Sequence, residues 1–140
     1  MNHPGAQRTA RRRGLALIET ALTLPLLLAL VVGALEYGWL FFKFQQINGA
    51  ARHGARIGVT VPATQSQVQT AIDQMMAAAN LQASGYTVTF SADPAALLPG
   101  EVLTITVGVP YANIELVGFP LIPVPASLTG ATSMVKEGPL

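Results

Sequence analysis

Three consecutive arginines, a glycine and a glutamate near the N-terminus are the residues whose types and spacing could carry chemistry. The run Arg11–Arg13 stops at Gly14, and Glu19 follows five positions later among uncharged residues. A carboxylate in an apolar segment of bilayer length costs roughly 2.5 kcal/mol or more at mid-membrane, and less near the end. A membrane anchor does not need this group. The sequence therefore predicts a functional role for Glu19, with a carboxylate tolerated at the inner interface as the alternative.

The rest of the sequence lacks the residue sets typical of enzymes. The seven acidic residues are scattered, no phosphate-binding loop is present, and the absence of cysteine excludes thiolate chemistry. His3 and His53 have no third candidate ligand nearby, so we expect neither a metal nor another cofactor. Hydrophobic residues make up 51% of the chain and charged residues 11%, which argues against nucleic-acid binding. The sequence predicts a protein that is not an enzyme and has no small-molecule substrate.

A single apolar segment dominates the N-terminal third of the chain. Residues 15–42 contain only two charged side chains, Glu19 and Glu36, and about 20 apolar residues suffice to span the hydrocarbon core. The segment is too long for the apolar part of a cleaved secretory signal, which is about 7–15 residues. Trp39 and Lys43 fit an aromatic belt and a charged stop at the outer interface. These features predict one transmembrane helix in the lipid bilayer.

The basic residues before this helix predict its orientation. Residues 1–14 include four arginines and many small polar residues, which is typical of a disordered cytoplasmic leader peptide. Because positive charge is retained on the cytoplasmic side, we expect the N-terminus inside and the C-terminal part exported. The predicted location is a bacterial inner membrane, crossed once, with a periplasmic or extracellular domain.

The transmembrane helix is expected to continue outside the membrane over residues 43–61. Apolar and small residues recur there at helical spacing, and Gly49 belongs to a small-residue surface that another helix could approach. Arg52 and Arg56 lie four apart on one face. They are interpreted as a solvated face, or as contacts to lipid headgroups or to a partner's acids. Glu36 could pair with Lys43 or a partner helix, or lie among the headgroups.

The remainder, residues 62–140, predicts a small α+β domain. An apolar stripe indicates a helix from about Ser66, its expected N-cap, to Leu81. Three segments read as strands, at residues 86–90, 102–109 and 127–136, with a possible bulge at Gly130. The fold class is therefore α+β: a long N-terminal helix, a second helix, and an antiparallel sheet of about three strands covered by that second helix.

The longer sequence pattern resembles a known family. Residues 14–19 (GLALIE) look like the processing site of type IV prepilins. Residues 18–28 (IETALTLPLLL), 35–38 (LEYG) and 48–56 (NGAARHGAR) resemble the TadE-like pseudopilins of Flp-type, or tight-adherence, pilus systems. The resemblance covers about residues 14–58 and leaves the C-terminal half unidentified. Thr20 departs from the aromatic residue common after the family's glutamate.

This resemblance implies an assembly role. A prepilin peptidase would cut after Gly14 and free the amino group of Leu15, which the Glu19 carboxylate of a neighbouring subunit could pair with to set subunit register. An unpaired charge is costly in low dielectric and a paired one much less so. The implied protein is a minor pilin, or pseudopilin, of a Flp-type pilus or related secretion system. Its implied partners are the peptidase, other pilins or pseudopilins, and inner-membrane pilus assembly proteins.

Two other functions remain compatible with the residues. One is a single-pass membrane-anchored scaffold or ligand-binding protein whose leader is never cut. The other, more weakly supported, is a small membrane-tethered hydrolase, which would need a concave polar pocket. The Gly14–Glu19 spacing favours the pseudopilin.

Overall fold

The computed structural model describes residues 4–60, 62–118, 120 and 122–138, with side chains from residue 16 onward. Helix α1 spans Pro4–Gly58 and helix α2 spans Gln65–Ala78. Strands β1 (Thr87–Phe90), β2 (Val102–Pro110) and β3 (Ser127–Val135) follow, with a short 3₁₀ turn after β2. This confirms the predicted α+β fold with a long N-terminal helix, a second helix and three strands.

Helix α1 begins inside the leader, for which the sequence predicts disorder. It starts at Pro4 and runs for 55 residues without interruption. Proline is favoured at the first helical position, and the alanine, glutamine and arginine that follow are good helix formers. Local propensity therefore accounts for the helical leader.

Pro25 lies within α1 but does not end it. Two threonines that precede the proline donate side-chain hydrogen bonds to the helix backbone. Thr20 Oγ1 donates to the Ala16 carbonyl at 2.8 Å, and Thr23 Oγ1 donates to the Glu19 carbonyl at 2.9 Å. Both acceptors precede Ala21, whose carbonyl is the one that loses its N–H donor at Pro25.

The chain divides into two compact units, Met1–Tyr37 and Gly38–Leu140. In the first unit, the side chains of residues 16–31 are all exposed, including Leu22 (73%) and Leu26 (72%). An 18-residue window of α1 reaches a mean hydropathy of 2.1, and none of it is buried. A helix that is apolar on all sides and uncovered by protein has the length and composition to cross a membrane once.

The second unit contains a three-stranded antiparallel sheet in the order β1-β2-β3. In β2, buried and less buried residues alternate, and the four fully buried side chains are Leu103, Ile105, Val107 and Val109. The pairing of β2 with β3 is continuous from Val102↔Val135 to Pro110↔Ser127. The bulge expected at Gly130 is therefore wrong, since Gly130 pairs directly with Val107.

The glycine at 130 is explained by close packing of α1 on the sheet. A Cβ added at Gly130 would lie 2.9 Å from the Asn48 backbone nitrogen, and one added at Gly58 would lie 2.5 Å from a Leu103 methyl. Helix α1 itself thus lies against the sheet, a role that the sequence assigned to the second helix. Helix α2 packs on α1, where a Cβ at Gly54 would meet Ile72 at 2.6 Å.

The N-cap of helix α2 lies two residues earlier than expected. It is Thr64, not Ser66, and Thr64 Oγ1 accepts a hydrogen bond from the Gln67 backbone at 3.3 Å. The Gln67 side chain accepts in turn from the Thr64 backbone at 3.0 Å, which completes a capping box. The residue that would complete a capping box with Ser66 is Gln69, whose side chain donates to Asp73 within the helix.

A side-chain cluster joins α2 to the segment that leads into β1. The Tyr86 hydroxyl donates to Asp73 Oδ1 at 2.6 Å, and Gln69 Nε2 donates to the same oxygen at 2.7 Å. Desolvation, together with the hydrogen bond and charge of Asp73, raises the pKa of Tyr86 to about 12. The phenol therefore stays protonated and keeps its bond to Asp73 at physiological pH.

Candidate functional site: the long helix and its exposed face

The predicted processing site lies within α1. The backbone of Gly14 and Leu15 is helical, and their side chains are outside the part of the chain that is described. The bond expected to be cut is thus presented at the start of the apolar segment, directly after the arginine run.

Glu19 lies one turn into the exposed apolar part of α1. It is exposed, and among the described residues it forms no ion pair. Its side chain therefore projects from a helix whose neighbouring side chains are apolar and equally uncovered.

The other acidic residue of the apolar segment has a different environment. Glu36 is 1% exposed. It is therefore not the solvated carboxylate that one sequence-based alternative required.

The aromatic and charged residues at the end of the apolar segment, Trp39 and Lys43, form bonds within the second unit. Trp39 Nε1 donates to the Ile114 carbonyl at 2.6 Å. Lys43 Nζ donates to the carbonyl of Ala79, the C-cap of α2, at 3.1 Å, and lies 4.7 Å from the Trp39 ring centroid. Lys43 is only 6% exposed. Lys43 therefore caps the C-terminal end of α2, a role that was not expected from the sequence.

A second lysine, which sequence reasoning missed, caps the end of α1. Lys136 Nζ donates to the carbonyls of Gly58 at 3.3 Å, Thr60 at 3.0 Å and Pro94 at 3.0 Å. The last carbonyls of a helix have no partner within it and carry partial negative charge, so a buried ammonium group satisfies both needs. The only sequence signal was an isolated lysine after the last strand.

The small-residue surface predicted on α1 is used mostly within the molecule. Ala50, Ala51 and Ala55 are fully buried, as part of the core formed with α2 and the sheet. Gly49 is the exception, because a Cβ added there would meet nothing within 4 Å. Of the predicted helix-packing positions in this region, Gly49 is the one left open.

Arg52 and Arg56 lie on the same open face and are exposed, as is His53. Residues three, four and seven apart share a helical face, so Gln45, Gly49, Arg52 and Arg56 form one line along α1. The structure thus brings these predicted contact residues together, while Gly14 and Glu19 lie far along the helix. Within the described residues, no group of three or more histidine, cysteine, aspartate or glutamate residues could hold a metal ion.

Comparison with known proteins bears on one part of the chain. The family model of TadE-like proteins matches residues 14–56, a range that lies within α1. This segment is TadE-like. The match confirms the resemblance predicted from the sequence, and it includes Gly14, Glu19, Glu36, Gly49, Arg52 and Arg56. No curated protein and no solved structure matches the chain. The TadE-like segment associates the chain with Tad pili and with a membrane anchor.

Proposed function

We propose that this chain is a TadE-like pseudopilin, a minor pilin subunit that acts in assembly of a Flp-type pilus or a related secretion system. The observation that carries the proposal is the TadE-like segment on a helix whose apolar side chains are uncovered from residue 16 to residue 31. Such a helix can lie in a bilayer before assembly and pack against other helices afterwards.

The proposed processing step is cleavage after Gly14 by a prepilin peptidase. It removes the four arginines that hold the leader in the cytoplasm and leaves a positive amino group on Leu15. The exposed Glu19 carboxylate of a neighbouring subunit then pairs with that amino group. In low dielectric, pairing offsets the large cost of each separate charge, which favours one axial register over others.

The experiment that tests this function measures the intact mass of the protein purified from native membranes containing the cognate peptidase. A chain that begins at Leu15 is expected. Gly14→Ala should leave residues 1–14 attached, because the added Cβ obstructs close access to the backbone at the cut.

The matched control is Gly33→Ala, in the same helix, where an added Cβ meets nothing within 4 Å. This variant should be processed like the native chain. Recovery of a full-length native chain would instead favour an uncut membrane anchor whose exported domain is a scaffold or binds a ligand.

A further inference from the structure

The second unit has an open groove beside α1 that the proposed function does not use. It lies between α1 and α2 and encloses about 370 Å³. We call it the docking groove and define it by six lining residues, Phe42, Gln45, Gln46, Gly49, Met75 and Ala78.

The docking groove exposes an apolar side chain on each of its two helices. Phe42 is 52% exposed and Met75 is 38% exposed. Between them, Gly49 has open space where a side chain would stand, so the backbone of α1 can be approached closely. Apolar walls with a glycine floor fit a helix laid lengthwise into the groove.

A polar atom in the groove wall lacks a partner. Gln46 Oε1 is buried and accepts no hydrogen bond among the described residues. Most buried polar atoms in native proteins are bonded, and each exception calls for an explanation. A small rotation of the Gln46 amide toward the groove would let it meet a donor from an occupant.

The face that forms the groove continues into positive charge. Arg52 and Arg56 follow Gly49 by three and seven residues, and both are exposed. The other two basic side chains beyond the leader, Lys43 and Lys136, bond to carbonyls within the unit. The two arginines are thus the cations that this face offers to a partner, and they call for carboxylates.

The α1 helix of a second copy of the chain does not supply these carboxylates. Two copies anchored in one membrane run in the same direction, so Arg52 and Arg56 would lie opposite the same residues and repel. Residues 37–58 contain no acidic residue, so a modest shift along the helix does not help.

Anionic lipid is also a poor occupant. Arg52 lies ten residues beyond Phe42, which is about 15 Å along a helix. The headgroup layer adds only about 6 Å on each side of the hydrocarbon core. A helix near the membrane normal therefore carries both arginines past the headgroups.

We propose that the docking groove binds an amphipathic α-helix of a different membrane-anchored protein, whose apolar face packs on Phe42 and Met75 and whose carboxylates pair with Arg52 and Arg56. This inference rests on the proposed function for the membrane anchor, and it deepens that function by naming the chemistry of the assembly partner.

The test is photo-crosslinking in native membranes with the full-length chain. A photoreactive amino acid replaces Gln45 in the groove, and in a matched control it replaces Thr89, which is exposed on β1 away from the groove. We expect one adduct at position 45 and none at position 89. Peptide sequencing of the adduct should show a segment of helical periodicity with carboxylates about two to three turns beyond the crosslinked residue, because Arg52 and Arg56 lie seven and eleven residues beyond position 45.

Two further variants separate docking from folding. Arg52→Glu with Arg56→Glu should reduce the adduct severalfold, and acid-to-lysine changes in the crosslinked helix should restore it. Gly49→Leu fills the groove at an open position and should abolish the adduct without lowering the thermal unfolding temperature. Recovery of the adduct on reversing the charges of both partners would show a direct charge pair, because a variant whose fold is locally disturbed would not be rescued by changes in the partner.

Three outcomes would overturn the docking proposal: an adduct made of two copies of this chain, an adduct with lipid alone, or equal yields at positions 45 and 89. The N-terminal mass is measured in the same samples. A chain cut after Gly14 without the expected adduct leaves the pseudopilin function standing and rejects the groove. An uncut chain that still gives the expected adduct rejects the pseudopilin function and leaves the docking groove standing.

Discussion

Glu19 and the two lysines show two ways in which this chain uses isolated charges. Glu19 projects from an uncovered apolar helix without an ion pair among the described residues. Lys43 and Lys136 are each 6% exposed and donate to carbonyls at the ends of α2 and α1. The carboxylate is therefore available to another molecule, whereas the ammonium groups are committed to the fold.

Glu19→Ala should permit cleavage after Gly14 but impair pilus assembly. The reason is that the carboxylate is absent from the pair that sets subunit register, while the glycine before the cut is unchanged. Piliation is counted by electron microscopy, and processing is followed by intact mass. Glu137→Ala, at an exposed acid outside α1, is the control and should assemble normally. Normal piliation in the Glu19 variant would count against the register role.

Lys136→Met should lower the free energy of unfolding by about 2–4 kcal/mol, because three carbonyls lose a charged donor and two of these bonds are buried. The methionine keeps the apolar stem, so the loss reports the ammonium group. Urea unfolding of the full-length protein in detergent measures it. The exposed cation Arg52 gives the control, since Arg52→Met should change stability by less than about 0.5 kcal/mol. Equal effects of the two substitutions would contradict the capping role of Lys136.

At the scale of elements, glycines decide how closely α1 approaches its neighbours. Gly54 faces Ile72 of α2, Gly58 faces Leu103 of β2, and Gly130 of β3 faces the backbone of α1 at Asn48. Side chains at these positions would push the helix away from the core. The close packing of α1 against α2 and against the sheet thus depends on the absence of a Cβ atom at these three glycines.

Gly130→Ala should destabilise the second unit by about 1–3 kcal/mol, because the added Cβ would lie 2.9 Å from backbone that cannot rotate away. Gly49→Ala is the control in the same layer, at a position with open space. It should be neutral or should stabilise by up to about 1 kcal/mol through helix propensity. Urea unfolding of both variants compares them directly. A Gly130→Ala protein as stable as the native chain would show that the helix moves freely on the sheet.

The elements themselves follow from local patterns, while their contacts do not. Alternation predicted β2, and helical spacing predicted α2, because each pattern reflects one face turned toward a core. The sequence does not show which layer covers the sheet, so Gly130 was interpreted as a bulge when it serves the approach of Asn48. The capping roles of Lys43 and Lys136 were missed for the same reason, since each bonds to residues at least 36 positions away along the chain.

The candidate site was predicted in part. The arginine run, Gly14 and Glu19 are adjacent in sequence, so their pattern could be read without a structure. The docking groove could not, because Met75 and Ala78 of α2 join Phe42 and Gly49 only after folding. The sequence also gave no means of telling the open Gly49 from Gly54 and Gly58, which are buried.

At the scale of the whole molecule, the core belongs to one unit. Its buried cluster runs from Leu40 to Leu128 and includes Ile47, Ala50, Ala51 and Ala55 of α1. The second unit, which begins at Gly38, therefore contains the helix extension as part of its own core.

A fragment of residues 38–140 should fold without the apolar segment. Its buried cluster lies entirely within the fragment. The chain contains no cysteine, so the fold does not depend on forming a disulfide. A single cooperative thermal transition by circular dichroism is expected. A fragment of residues 60–140 is the control and should show none, since it lacks the α1 residues at the centre of the core. Similar cooperativity in both fragments would show that α1 is dispensable to the fold.

The burial of both lysines has a consequence for chemical labelling. Lys43 and Lys136 are the chain's only lysines, and each ammonium group is held by carbonyl acceptors in the folded state. Acylating reagents attack the free amine, so the native protein should take up one label, at its α-amino group. On a chain cut after Gly14, a fluorophore or biotin would sit on Leu15 alone, and uptake of second and third labels would count the molecules that have unfolded.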